Sequence, residues 1–186
     1  MRTVWPRWVA GLAAAGLLLS GCGGDSPEPK PLPKESKSSP SESPSATPPV
    51  MPAAAKKKTK AGAISVARAF LDALNFAGAT GNTDPLRSTY MRLCTRCEVI
   101  ADGIDETYSN GGKIEGGAWH PTSFKFYGIQ NEVAVVDAAV DYDAQTWTKK
   151  SGAKPQKFPA RQGNLKAFHL RWTGKKWAVS ALDPNA

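Results

Sequence analysis

EVAVVDAAVDYDAQTWT, residues 132–148, is the stretch on which the fold turns. Its even positions, Ala134, Val136, Ala138, Val140, Tyr142 and Ala144, form an apolar row, whereas its odd positions include Asp137, Asp141 and Asp143. A period of two with one apolar face marks a strand in an antiparallel sheet covered on one side only. The segments around it share that period. In SFKFYGIQ (123–130), Phe124 and Phe126 fall on one side, Lys125 and Tyr127 on the other. NLKAFHLRW (164–172) sets Phe168, Leu170 and Trp172 against His169 and Arg171. The turn TGKK leads into KWAVSALD (176–183), with Trp177, Val179 and Ala181 on one face. Two strands so closely joined form an antiparallel hairpin.

Upstream the period changes. AGAISVARAFLDALNFAGATGN (61–82) repeats apolar residues at Ala63, Val66, Ala67, Phe70, Leu71, Leu74 and Ala77, one face of a helix, with Gly78 and Gly81 as stop signals. Thr83 or Asp84 can cap a short second helix with Pro85 in its first turn. After Cys94, Val99, Ile100, Ile104 and Tyr108 repeat at helical spacing until Asn110-Gly111-Gly112. Helices first and antiparallel strands afterwards make an α+β domain, with the helices packed on one face of the sheet.

This order resembles the nuclear-transport-factor-two-like (SnoaL-like) fold, in which a long helix and two shorter ones precede a curved antiparallel sheet wrapped into a cone. In combination, MPAAAKKKTKAGA, FLDALNFAGATGNTDPLR, CTRC and YSNGGKIEGGAW resemble an uncharacterised group of actinobacterial lipoproteins with a domain of unknown function. The resemblance runs from about Met51 to Asp183. It implies a surface lipoprotein with a cone-type domain and carries over no catalytic residue.

The N-terminus predicts an address. Arg2 and Arg7 precede an uncharged apolar run, Val9 to Leu19, too short for a membrane span. Leu19-Ser20-Gly21-Cys22 then resembles the lipobox of bacterial lipoproteins, in which cleavage between the residues standing here as Gly21 and Cys22 follows lipidation of the thiol. Residues 1–21 are thus expected to be a signal peptide. The expected location is the extracytoplasmic face of a bacterial cell membrane, with the lipid as the link to the bilayer. Residues 22–55, rich in Pro and Ser and poor in large apolar side chains, read as a disordered tether. Polyproline-II bias extends such a chain by roughly 3.1 Å per residue. Lys56, Lys57, Lys58 and Lys60 read as a solvated approach to the first helix, and residues 56–186 as the single domain.

The net charge of +8 sits largely in the leader and tether. Residues 61–186 hold fifteen basic and twelve acidic side chains. So balanced a domain does not fit nucleic-acid binding.

With Cys22 lipidated, Cys94 and Cys97 remain as a pair. CTRC admits a redox dithiol, but that reading wants a preceding strand, and here the pair lies between helices. A structural disulfide is expected instead, in keeping with an oxidising compartment. One CxxC supplies only two ligands, so no metal is expected, nor any cofactor. Trp119, Phe124, Phe126, Tyr142, Phe168, Trp172 and Trp177 are expected in the core or around a cavity of the cone. Candidate pocket residues are Trp119, His120, Asp137, Asp141, His169 and Arg171. These residues support two readings: a non-enzymatic module that binds a small ligand or a cell-envelope protein, or an enzyme pairing a histidine with an aspartate. Thiol redox chemistry at the cysteines is a third.

Overall fold

The computed structural model describes residues 47–183. A 3-10 turn, Ala53–Lys56, leads to α1 (Lys60–Thr80), α2 (Asp84–Arg87) and α3 (Thr95–Ser109). Seven strands follow: β1 (Lys113–Gly116), β2 (Trp119–Gln130), β3 (Val133–Tyr142), β4 (Gln145–Thr148), β5 (Gln156–Phe158), β6 (Arg161–Trp172) and β7 (Trp177–Asp183). The larger sheet has the order β2-β3-β6-β7 and the smaller β1-β4-β5, and all these pairings are antiparallel. The helices cover one face of the curved sheets, so the α+β cone expected from the sequence is the fold.

Helix α1 starts where the Thr59 hydroxyl accepts the Gly62 N–H at 3.1 Å. It stops at Gly81, whose φ of +77° only glycine adopts at little cost. Gly78, the other expected stop, stays helical. All seven apolar positions of the expected face are buried. They meet Val136, Phe168, Leu170 and Trp177, with the Phe70 and Phe168 rings edge-on at 5.5 Å.

Several expectations need correction. The packed body reaches ahead of Lys56, because Ala55 is buried in the core; just past the expected boundary, Trp177 Nε1–H donates to the Lys57 carbonyl at 3.0 Å. Residues 132–148 are two strands rather than one. After Tyr142 the chain leaves the larger sheet and joins the smaller one as β4. Gly116 and Gly117, at φ +70° and +75°, allow the matching bend between β1 and β2. The Gly117 N–H donates to Ala144 O, and a Cβ on Gly116 would lie 2.3 Å from that oxygen. The short strands β1 and β5 escaped the alternation test. In β7, a register shift opposite His169/Leu170 buries Trp177, Ala178, Val179 and Ser180 in succession and exposes Ala181.

Candidate functional site

A cleft of about 840 Å³ opens between α1, α3 and the smaller sheet. Helix α1 contributes Leu74, Asn75 and Gly78, and helix α3 contributes Val99, Ile100, Gly103 and Ile104. Ile114 of β1, Trp119 at the start of β2 and Trp147 of β4 complete the apolar walls.

The walls are held by paired polar groups. The Asn75 side-chain amide grips the Trp119 backbone at both ends, accepting its N–H at 2.8 Å and donating to its carbonyl at 2.9 Å. The Trp119 ring meets Tyr142 edge-on at 4.6 Å. Burial raises the pKa of the Tyr142 phenol, against the opposing pull of Arg161. Trp147 Nε1–H donates to the Thr107 hydroxyl at 2.9 Å, and Tyr108 O–H donates to the Gly78 carbonyl at 2.6 Å. Lys113 and Glu115, the charged residues of the lining, pair with each other at 2.9 Å.

Of the six expected pocket residues, only Trp119 lines this cleft. His120, Asp137, Asp141, His169 and Arg171 do not, and the pleat is the reason: they alternate with residues that face the helices, so they stand on the outer side of the sheet. There His120 Nε2 lies 2.8 Å from Asp143 and His169 Nε2 lies 3.1 Å from Asp183, each pair exposed. Asp137 accepts the Tyr127 hydroxyl at 2.6 Å, and Asp141 accepts the Gly163 N–H at 2.9 Å.

Cys94 and Cys97 form a disulfide at the start of α3, with exposures of only 1% and 0%. A bond so enclosed is poorly placed for exchange with a second thiol. Gly21 and Cys22 lie outside the described residues.

Sequence reasoning missed the fork at Arg87. This guanidinium reaches Glu98 at 2.6 Å and Asp102 and Asp105 at 2.7 Å each. The bonds to Asp102 and Asp105 raise the Arg87 pKa further above its already high value. Glu98, Asp102 and Asp105 recur on one face of α3, a spacing that could have announced a shared cation.

Solved structures are similar to this chain at low identity. The intermembrane-space region of the chloroplast protein ARC6 superposes with a TM-score of 0.54 at 10% identity, covering 70% of this chain and 98% of that one. A provisionally named aromatic ring hydroxylase from Novosphingobium aromaticivorans gives 0.43 at 14% identity, covering 63% and 83%. A domain of unknown function with a cystatin-like fold, from Nostoc punctiforme, gives 0.41 at 13% identity, covering 67% and 76%. No curated protein matches the sequence. A family model described as a family of unknown function (DUF6318) matches residues 36–183.

Proposed function

The chain belongs to the DUF6318 family, and we propose that it is a non-enzymatic binding module that takes a small, largely apolar ligand into the α1–α3 cleft. In this reading a lipid on Cys22 holds the module on the extracytoplasmic face of a bacterial membrane, and the Pro/Ser-rich tether sets it off from the bilayer.

One observation carries the binding role. Gly78 and Gly103 sit inside helices, both line the cleft, and a Cβ on either would meet no atom within 4 Å. An interior helical glycine costs roughly 0.5–1 kcal/mol relative to alanine. Packing does not require either one, and both leave room where a ligand would lie. An acid–base enzyme reading would need a histidine at this cleft, and both histidines stand on the outer face.

Gly103→Leu tests the proposal by filling the cleft from α3. The neutral probe N-phenyl-1-naphthylamine should bind the wild-type chain with enhanced fluorescence and lose that signal in the variant. Thermal unfolding should show the variant at least as stable, because leucine favours the helix by up to about 1 kcal/mol. Equal probe affinity in both proteins would remove the cleft as the site.

A further inference from the structure

We infer that the ligand of this cleft is an anionic amphiphile, an extended apolar chain ending in a carboxylate or phosphate, whose head meets a basic rim on the β4–β5 hairpin. The inference rests on the cleft reading above and adds the chemical class.

From Ala144 to Leu182 the chain holds nine Lys and Arg and no Asp or Glu. Lys149, Lys150 and Lys154 crowd the hairpin loop, while Lys157, opposite Thr146, stands on the face of the small sheet away from Gln145 and Trp147. The hairpin is an edge of the cleft. Its residue Trp147 forms part of the wall, and Lys149 Nζ sits 5.4 Å from the centroid of that ring. Phe158 pairs in register with Gln145, a lining residue, and so continues the lining side of the small sheet towards the rim at 42% exposure. The Ser151 N–H donates to the Asn110 carbonyl at 3.0 Å, which fixes the hairpin loop against the end of α3.

Among the described residues, no carboxylate forms an ion pair with the loop lysines of the rim. Glu115 is the acid of the lining, and Lys113 already pairs with it. Among the described residues Lys149, Lys150 and Lys154 make no ion pair. Cations beside low-dielectric walls focus their field into the opening. A neutral ligand would leave those cations idle. A small anion would leave the apolar walls wet. An amphiphile with an anionic head satisfies both.

Intrinsic tryptophan fluorescence can read the test, since Trp119 and Trp147 line the cleft. The probes are decanoate, decyl phosphate, decanol and acetate, titrated into the full chain at pH 7.5. Decanoate and decyl phosphate should bind about tenfold or more tightly than decanol, the size of one charge-assisted contact, with acetate silent. Lys149→Glu with Lys150→Glu should bring the anions and decanol to equal affinity within the variant, abolishing the preference for the anions. Lys149→Gln with Lys150→Gln, which adds no repulsion, should abolish most of it. Equal binding of decanol and the two anions, or a preference that survives both double variants, would overturn the amphiphile and leave the cleft reading standing. No binding of any ten-carbon probe would overturn both.

Discussion

Tyr90 shows how one side chain can couple the core to pH. Its ring packs on Phe70 at 6.4 Å, and its hydroxyl donates to Glu98 at 3.1 Å. Burial, and then the Glu98 bond, push its pKa up to about 12 from 10.0. The folded state therefore keeps a proton that the unfolded chain gives up near pH 10. Stability from this group is fully present below pH 10 and falls as pH rises from 10 towards 12. In urea unfolding, the wild type should lose stability between pH 9.5 and 11.5, and Tyr90→Phe should lose less over the same interval. Parallel losses would place the alkaline sensitivity elsewhere. Glycines show what a sequence conceals at this scale. Gly78 and Gly81 look alike in sequence as stop signals, yet a Cβ on Gly81 would lie 2.5 Å from the Tyr108 ring, whereas one on Gly78 would meet open space. The left-handed backbone at Gly81 and the Tyr108 ring on the partner helix separate the two roles.

Between elements, Arg87 is the bolt that holds α2 to α3. Its planar fork serves three carboxylates, with Nε also donating to the Thr83 hydroxyl at 3.2 Å. Arg87→Met should lower unfolding stability by about 1–3 kcal/mol, since it leaves three neighbouring carboxylates without their shared cation. Arg87→Lys should recover less than half, because an ammonium cannot reproduce the fork. Full recovery by lysine in urea denaturation would reduce the site to simple charge balance. The start of the domain is decided between elements as well. A Cβ on Gly62 would lie 2.1 Å from the Lys57 carbonyl oxygen, so the 3-10 turn folds flush onto α1 and takes Ala55 into the core. Local composition, rich in Pro, Ala and Lys, could not reveal that docking.

For the molecule as a whole, the proposed anchor makes the simplest prediction. Cys22→Ser should either release the protein from membranes or block its maturation, as seen by fractionation and mass spectrometry of the N-terminus. Normal processing with retained membrane association would exclude the lipoprotein reading. Most of the fold was legible beforehand. The buried face of α1, the inward row Ala134–Val140 and the β6–β7 hairpin all follow from periods of 3.6 and 2, which depend only on backbone geometry. The same periods separated the two faces of the sheet but could not say which face adjoins a cavity. Five of six candidate pocket residues therefore fell on the outer face. By itself, the sequence determined the α+β class, the helix order and the inward row of β3, because each is a local or periodic property of the chain. Only the tertiary structure decided where β3 ends and β4 begins, that Ala55 belongs to the core, and that two helical glycines and a basic hairpin surround one cleft. Those depend on contacts between residues as far as 120 positions apart, which no local pattern records.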